Sequence, residues 1–409
     1  MAGNIVAGID IGSAKTCAVI AEVGADARRP TIKVLGVGQA RTGGVRRDVV
    51  TDIEGTTESV RGAMKEAELM AGVEVEEVFA GISGEHIDAS ISTGVVAVGG
   101  GEIGAADVKR VHDVARAVVV PADREVLHAL TQEYIVDHQA GIRDPVGMAG
   151  TRLEAEVYLI TSSVAAGQNL RKAVSRAGYR IAALVHEPLA AALAVLTEDE
   201  KEIGAVLVDM GAASTAVAVF RDGKTRHLAS VPWGGFSVTN DLAKGLSIPF
   251  AEAEKAKERY GAAFAQLVDP RETVELSGPV PGTTRQVARE LIAHIIEQRV
   301  DEILGLVARE IEQAGIEVGR LGAGVVLTGG GASLPGTIEV AQHVFGAPAR
   351  IGVAGTEMGG LADGIRKPRF ATAAGLVLFA ALQKIEAGGG SGFGDTAVGR
   401  LVAWLKEFF

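Results

Sequence analysis

The chain contains the same turn twice, about 200 residues apart. In each copy an apolar strand ends at an Asp, a short loop of Gly and other small residues follows, and a second apolar strand begins. The first copy surrounds Asp10 and the second surrounds Asp209. A loop of small residues lets backbone N–H groups close on an anion, and an Asp at a strand end can hold a cation through water. Two such loops facing each other predict a duplicated α/β fold that clamps Mg²⁺ and the phosphates of a nucleotide.

The loop residues are the candidates for contact with this ligand. They are Asp10, Gly12, Ser13 and Lys15 in the first copy, and Asp209, Gly211, Ala212, Ser214 and Thr215 in the second. Lys15 can contact a β- or γ-phosphate as a point charge. Asp10 and Asp209 are candidates for catalysis and for holding hydrated Mg²⁺, which keeps several of its waters. Tight turns use the same residue types, so the prediction depends on the presence of both copies.

A third Gly-rich turn and a single carboxylate add to the candidate site. Gly329, Gly330 and Gly331 follow an apolar strand, and such a run lets the backbone approach a base or a sugar closely, although an ordinary turn is the alternative. Glu187 begins a predicted helix just before the second copy. There it can orient an attacking water near the γ-phosphate as a catalytic residue. Alternatively, its carboxylate only complements the helix dipole.

Two further regions carry predictions of structure. Residues 83–161 are interpreted as a small α+β insert, in which strands from Ile87 to Ile91 and from Gly94 to Val98 flank a turn and a helix follows from Ala105 to Ala117. The later part of the chain is predicted to be mostly helical to about residue 314, with helices from Phe250 to Tyr260 and from Thr284 to Ala314.

Glu254 and Lys257 share one face of the first of these later helices. Their side chains can reach a ribose hydroxyl, or they can form an ordinary exposed ion pair. The spacing alone leaves both interpretations open.

The composition excludes several other classes of protein. The 409 residues carry a formal net charge of −11 and only 4% aromatic residues, which disfavours binding of nucleic acid. Cys17 is the single cysteine, so no disulfide framework forms and the cytosol is the expected compartment. The N-terminus has no signal-peptide pattern, and no stretch reaches the roughly 20 apolar residues that span a bilayer.

The end of the chain changes in composition. Residues 387–397 are rich in Gly and Ser and are interpreted as a flexible linker. From 398 to 409 an amphipathic helix is predicted, with an apolar face formed by Leu401, Val402, Trp404, Leu405, Phe408 and Phe409. An amphipathic helix on a tether is typical of a membrane-surface anchor, here one that binds an anionic membrane surface. Docking against the protein's own core or a partner groove is the alternative.

Taken together, these motifs resemble a known superfamily. The paired loops, the segment Glu187-Pro188 and the triple glycine are similar to those of the actin/Hsp70/sugar-kinase ATPases. The segment from Gly8 to Ser13, the entry to the insert from Gly81 to Ile87 and the run from Val195 to Gly204 resemble the bacterial cell-division family FtsA, as does the tethered tail. The resemblance covers essentially the whole chain.

The resemblance implies an actin-like ATPase fold with two ribonuclease-H-like subdomains, an inserted subdomain 1C and a C-terminal membrane-targeting helix. The implied ranges are 1–82, 162–193 and 365–386 for subdomain 1A, 83–161 for 1C, 194–228 and 315–364 for 2A, and 229–314 for 2B. ATP would lie between 1A and 2A, with Glu254 and Lys257 at the ribose or adenine. Such proteins form homopolymers, tether FtsZ to the inner face of the cytoplasmic membrane at the division site, and recruit later divisome membrane proteins.

The second loop departs from the family pattern, which usually reads Asp-Ile-Gly-Gly-Gly-Thr. Ala212 and Ala213 stand where glycine is expected, and forcing Ala to a positive φ would cost on the order of 1 kcal/mol. ATP is therefore expected to control conformation and assembly, with at most slow hydrolysis. A PilM-like adaptor of type IV pilus assembly is an alternative that the tail disfavours. A small-molecule kinase is another, but no convincing substrate motif is found.

Overall fold

The computed structural model describes residues 4–25, 30–118, 120–277, 282–355 and 358–387. Most of the predicted linker, from residue 388 onwards, and the predicted helix 398–409, with Leu401, Val402, Trp404, Leu405, Phe408 and Phe409, lie outside these residues. The chain divides into two compact units. The first comprises Met1–Asp26, Pro30–Glu85 and Lys172–Ala381, and the second is built mainly on His86–Arg171. Among the described residues, no helix combines the length and apolar character that crossing a membrane requires.

The strands run along the chain as follows: β1 (Asn4–Ile11), β2 (Lys15–Ala25), β3 (Pro30–Arg41), β4 (Val45–Arg46), β5 (Val49–Val50), β6 (Glu77–Ile82), β7 (Asp88–Ala97), β8 (Arg124–Val136), β9 (Gln139–Ile142), β10 (Arg152–Ser163), β11 (Arg180–His186), β12 (Ala205–Met210), β13 (Thr215–Arg221), β14 (Lys224–Val231), β15 (Thr273–Ser277), β16 (Thr284–Ala288), β17 (Gly324–Thr328), β18 (Ala349–Ile351) and β19 (Met358–Gly360). The α-helices are α1 (Ile53–Ala71), α2 (Ala105–Arg116), α3 (Val164–Ala177), α4 (Glu187–Val195), α5 (Glu198–Ile203), α6 (Gly235–Gly245), α7 (Phe250–Tyr260), α8 (Arg289–Gln313), α9 (Thr337–Phe345) and α10 (Ala371–Ala387).

Two sheets of similar topology form the first unit. One has the order β11-β6-β1-β2-β3-β19 and the other has the order β14-β13-β12-β17-β18. In the first sheet β1 pairs antiparallel with β2 and parallel with β6. In the second sheet β12 pairs antiparallel with β13 and parallel with β17. The duplicated fold that the repeated turn predicts is therefore confirmed.

Glycines allow the closest packing around the first sheet. A Cβ on Gly8 of β1 would lie 2.6 Å from the carbonyl oxygen of Ala373 in α10, so the helix lies directly on the strand. A Cβ on Gly375 would lie 1.7 Å from the carbonyl oxygen of Ala190, which brings α10 against α4. Because real Cβ atoms do not approach so closely, both positions require glycine. Helix α10 thus packs closely against both β1, which carries Asp10, and α4, which begins at Glu187.

The second unit is a four-stranded sheet of order β7-β10-β8-β9 with α2 packed on one face. Its core contains Val111 and Ala115 from α2 together with Leu153, Val157 and Leu159 from β10. Close contact between helix and sheet depends on Gly94, because a Cβ there would lie 2.2 Å from the carbonyl oxygen of Val111. The predicted α+β character of this segment is confirmed.

Two predictions about local structure were wrong. The stretches Ile87 to Ile91 and Gly94 to Val98 do not flank a turn; apart from Ile87 and Val98 they belong to the single strand β7, which pairs with β10 along its whole length. Thr284–Ala288 is also a strand, paired with β15, and the long helix begins only at Arg289. Pairing with a partner strand overrides the local pattern in both cases. The predicted helix from Phe250 to Tyr260 is confirmed at both ends.

Candidate functional site

A cavity of about 540 Å³ in the first unit brings together most of the predicted site residues. Those that line it are Asp10, Gly12, Ser13, Lys15, Glu187, Asp209, Gly211, Ala212, Ser214, Glu254, Lys257, Gly329, Gly330 and Gly331. Its remaining wall includes Phe236, Val238, Val300, Ile303 and Leu334, which come from α6, α8 and the turn after β17. The cavity therefore combines a charged part, formed by the loops, with an apolar part.

The two loops have equivalent positions in their hairpins. Asp10 lies opposite Cys17 in the β1–β2 pair, and Asp209 lies opposite Ala216 in the β12–β13 pair. In each copy the Asp is the last residue but one of its strand. The hairpin geometry thus places both carboxylates at the carboxyl ends of central strands, which is where open α/β sheets bind ligands.

The second loop carries no backbone strain at its alanines. Neither Ala212 nor Ala213 has a positive φ. The expected cost of placing alanine in a left-handed conformation is therefore wrong, because the loop closes without one. Instead, the carbonyl groups of Gly211 and Ala212 accept hydrogen bonds from the backbone N–H groups of Gly235 (2.9 Å) and Phe236 (2.7 Å) at the start of α6.

Thr215 does not line the cavity. Its side chain is fully buried, and its hydroxyl donates a hydrogen bond of 2.8 Å to the carbonyl oxygen of Trp233. This bond ties the first residue of β13 to the segment that leads into α6. Thr215 therefore supports the second loop from behind.

Two of the acidic side chains have strongly perturbed acidity. Burial, followed by the nearby charges of Asp209 and Asp48, raises the pKa of Asp10 to about 8. Burial likewise raises the pKa of Asp209 to about 6, although a hydrogen bond from Thr372 opposes the shift. Each carboxyl thus ionises at a higher pH than an ordinary Asp does, and a nearby cation would oppose this shift. Such a cluster is typical of functional sites.

Glu187 is the first residue of α4 and is followed by Pro188 in the first turn. Its carboxylate accepts a hydrogen bond from the hydroxyl of Ser83, and its side chain lies against Gly81, where a Cβ would be 2.7 Å from Glu187 Cγ. Burial raises the pKa of the Glu187 carboxyl well above its usual range, and the charge of Asp10 adds to this effect. The side chain therefore faces the same cluster as the two loop aspartates.

The triple glycine allows a close approach to the second loop. Gly329 has a φ of 81°, and a Cβ there would lie 2.3 Å from Asp209 Oδ1 and 2.7 Å from the carbonyl oxygen of Met210. Both its conformation and its surroundings require glycine. At Gly331 a Cβ would lie 2.9 Å from the Met210 Cβ, whereas Gly330 has open space around it. Of the three glycines, Gly329 is therefore the one whose position least tolerates any other residue.

Glu254 and Lys257 form a partly buried ion pair in the cavity wall. Lys257 is only 8% exposed, and its Nζ donates to Glu254 Oε2 (2.8 Å), to Thr239 Oγ1 (2.8 Å) and to the carbonyl oxygen of Gly235 (3.1 Å). The Thr239 hydroxyl also donates to Glu254. The pair thus links α6 to α7 at the edge of the cavity, unlike an ordinary surface ion pair.

Among the polar residues of the cavity that sequence reasoning missed are Asp48, Ser83, Arg369 and Thr372. Asp48 ends a basic, Gly-rich loop, but nothing in that loop's composition shows that it folds back onto the site. The other three come from segments far from either loop, and only the packing of β6 and α10 brings them there. Arg369 adds a cation to those of Lys15 and Lys257 in the wall. In the part of the chain that the structure describes, no group of three or more His, Cys, Asp or Glu side chains is arranged to hold a metal ion directly.

Comparisons with solved structures define the fold. The structure is similar to a PilM–PilN type IV pilus biogenesis complex, with a TM-score of 0.63, 16% identity, and coverage of 92% of this chain and 98% of that one. It is also similar to MreB5 of Spiroplasma citri bound to ADP, with a TM-score of 0.57, 13% identity, and coverage of 94% and 98%. The fold is therefore that of the actin-like ATPases.

Sequence comparison identifies the family within that class. A family model described as cell division protein FtsA matches residues 206–375, and one described as the SHS2 domain inserted in FtsA matches residues 84–161. The cell division protein FtsA of Pseudomonas aeruginosa is 41% identical over 382 residues, which cover 93% of this chain and 90% of that protein. The chain belongs to the FtsA family of cell division proteins.

Proposed function

We propose that the protein is an ATP-binding, filament-forming FtsA that tethers the FtsZ ring to the inner face of the cytoplasmic membrane and recruits later divisome proteins. The observation that carries this proposal is a cavity in which both loops of a duplicated actin-like fold converge, in a chain of this family. The structural neighbour MreB5 binds ADP with the same fold, which favours a nucleotide as the ligand.

The two parts of the cavity suit the two parts of ATP. The backbone N–H groups of the loops, with Lys15 and Arg369, offer hydrogen bonds and positive charge to phosphates. The apolar side chains of α6 and α8, with the flat backbone of Gly330, offer a surface for the base. Glu254 lies at this side and can accept a hydrogen bond from a ribose hydroxyl. We therefore propose that the phosphates bind at the loops and the nucleoside at the helices.

Asp10 and Asp209 suit Mg²⁺ that is held through water. Oxygen ligands are those that Mg²⁺ prefers, and the ion commonly keeps several waters while binding one or two carboxylates and substrate phosphates. The raised pKa values of Asp10 and Asp209 show that the cavity resists uncompensated negative charge. A divalent cation held near Asp10 and Asp209 would compensate this charge, so that both carboxylates could ionise. Mg²⁺ would supply charge neutralisation for the phosphates at this position.

The surroundings of Glu187 favour slow hydrolysis of ATP. A general base must be ionised to accept a proton from water, and burial shifts the Glu187 carboxyl towards its protonated form by raising its pKa. The carboxyl group also receives a hydrogen bond from Ser83. ATP would therefore remain bound long enough to control assembly, and its cleavage would be a slow event.

Membrane binding is assigned to the C-terminal segment. The apolar positions of residues 398–409 recur on one face of a helical pattern, and a Gly-rich tether precedes them. A single helix of this size binds reversibly, so filaments that present many copies would bind far more tightly. Assembly controlled by ATP and attachment to the membrane would thus be linked. The likeness to the PilM complex shows the fold alone and favours no pilus function.

Co-sedimentation with anionic vesicles tests this function. The full chain with ATP and Mg²⁺ should sediment with vesicles, and a chain that ends at Ala387 should stay in solution. Within the full chain, Leu405→Gln should weaken sedimentation, whereas Glu407→Gln on the charged face should not. Equal sedimentation of the full and shortened chains would remove the tail from the mechanism.

Two further measurements test the partners. Purified FtsZ should be retained by the immobilised protein, and its absence from the retained fraction would contradict the tethering function. ATP-dependent assembly, followed by light scattering, should be lost in Asp209→Ala and kept in Asp301→Ala, which removes an exposed carboxylate from α8. Unchanged assembly in Asp209→Ala would separate the nucleotide clamp from polymerisation.

A further inference from the structure

Asp48 reaches the cavity from an unusual turn. It is the second of two residues that join β4 to β5, and the flanking Arg46 and Val49 are paired. Arg47 has a φ of 47° and Asp48 a φ of 60°, so two successive non-glycine residues are left-handed. Tight hairpins of this kind favour Asn or Asp followed by Gly, because β-carbons are unfavourable in this conformation. Strained backbone of this kind is concentrated at functional positions, so the contacts of the Asp48 side chain are of interest.

The Asp48 carboxylate joins the two nucleotide loops. Its Oδ1 accepts a hydrogen bond of 2.8 Å from the Ser13 hydroxyl in the first loop, and its Oδ2 accepts one from the Ser214 hydroxyl in the second. The backbone N–H of Asp48 also donates to Ser13 Oγ (3.1 Å). One side chain thus binds both loops with its two oxygens, in the manner of two oxygens of a phosphate group.

A terminal phosphate at this point would compete with Asp48. Each serine hydroxyl has a single proton, so it cannot donate to a phosphate oxygen while it donates to Asp48. Charge works in the same direction, because Asp10, Glu187 and Asp209 line the same cavity and the Asp48 charge adds to the negative potential at each of them. A triphosphate therefore meets both a competitor for its donors and a repelling charge.

We propose that Asp48 determines nucleotide specificity by occupying the terminal-phosphate position between Ser13 and Ser214 until a triphosphate with its cation displaces it. This inference rests on the proposed nucleotide site. A diphosphate does not extend to that position, so it leaves the contacts of Asp48 in place. Asp48 would thus lower the affinity for ATP relative to ADP, and its displacement would release the contact between the loops only when a triphosphate binds.

The test is isothermal titration of the full chain with ADP and with the non-hydrolysable analogue AMPPNP, each with Mg²⁺ and with EDTA. Asp48→Asn removes the charge and one acceptor and tolerates the left-handed turn. Asp48→Gly removes both acceptors and suits the turn fully. Asp52→Asn is the matched control, since Asp52 caps α1 nearby, lies outside the cavity wall, and Asn caps a helix equally well.

Both Asp48 variants should bind AMPPNP roughly tenfold more tightly than the wild type, with a change in ADP affinity below about twofold. The gain in affinity for AMPPNP should be larger in EDTA, where no cation offsets the repulsion between the Asp48 carboxylate and the triphosphate. The control should bind both nucleotides as the wild type does. An unchanged ratio of the two affinities would overturn the inference.

Weaker binding of AMPPNP by the Asp48 variants only when Mg²⁺ is present would overturn it too, since Asp48 would then be a ligand of the cation. If the wild type binds neither nucleotide, the proposed function fails and the inference fails with it. If the wild type binds both nucleotides and the variants keep its ratio of AMPPNP affinity to ADP affinity, the inference alone fails.

Discussion

Replacing Asp209 with Asn should stabilise the nucleotide-free protein, and increasingly so as pH rises. Burial raises the pKa of Asp209 from 3.8 to about 6. Between these values the folded state holds the proton more tightly than the unfolded state does. The free energy of unfolding therefore falls as pH rises through this window and levels off above it. Asn cannot ionise, keeps the shape of the side chain, and leaves an oxygen to accept from Thr372.

The expected size of the effect follows from the shift. One pKa unit corresponds to about 1.4 kcal/mol, so ionised Asp209 costs the folded state about 3 kcal/mol at high pH, and only a small part of that cost is present near pH 4. The advantage of Asp209→Asn over the wild type should then grow by about 2 kcal/mol between roughly pH 4 and pH 8. With saturating Mg²⁺ and ATP the wild type should instead be the more stable of the two, because only it keeps the Asp209 carboxylate that would hold the cation.

Urea unfolding in EDTA, followed by tryptophan fluorescence, measures this difference. Trp233 lies in the same unit as Asp209, and Trp404→Phe removes the only other tryptophan. Asp301→Asn, on the exposed face of α8, controls for the loss of a charge. If the advantage of Asp209→Asn were the same at both ends of the pH range, or shrank with pH, the assignment of Asp209 to a desolvated acidic cluster would be refuted.

Three other changes test separate parts of the site. Gly329→Ala should reduce ATP affinity by at least tenfold in a filter-binding assay, because its Cβ would lie 2.3 Å from Asp209 Oδ1 at a φ of 81°; wild-type affinity would contradict the close approach. Glu187→Gln should keep ATP binding and lose any phosphate release seen in a coupled assay, and undiminished release would show that another residue activates water. Thr215→Val should lower the melting temperature through the lost bond to Trp233, worth about 1 kcal/mol, while nucleotide affinity stays within about twofold; a large loss of affinity would place its hydroxyl at the ligand.

The sequence was sufficient to predict the repeated structural units and the helix with a periodic apolar pattern. The two strand–Asp–loop units and the helix from Phe250 to Tyr260 depend on local pattern, and the structure has them as predicted. Thr284–Ala288 was misread because its strand state depends on pairing with β15, which precedes it in the chain. Local propensity carries little information about such pairing.

The same limit applies to the site. Residues that lie in the loops could be selected from their chemistry. Asp48, in contrast, reaches the cavity through a hairpin turn, and its partners Ser13 and Ser214 are 35 and 166 residues away from it in the sequence. Thr215 was selected with its neighbours, but the alternation of side chains along β13 turns it towards Trp233. The backbone at Ala212 and Ala213 could not be anticipated either, because the φ of a residue is set by how the loop closes.

A crystal structure of the full chain with Mg²⁺ and AMPPNP would show directly whether the two loops bind one nucleotide. We expect a triphosphate between the two loops, with the cation near Asp10 and Asp209 and the base against Gly330. Asp48 should have moved away from Ser13 and Ser214. A nucleotide bound elsewhere, or phosphates that contact only one loop, would contradict the claim that the duplicated turns form a single clamp.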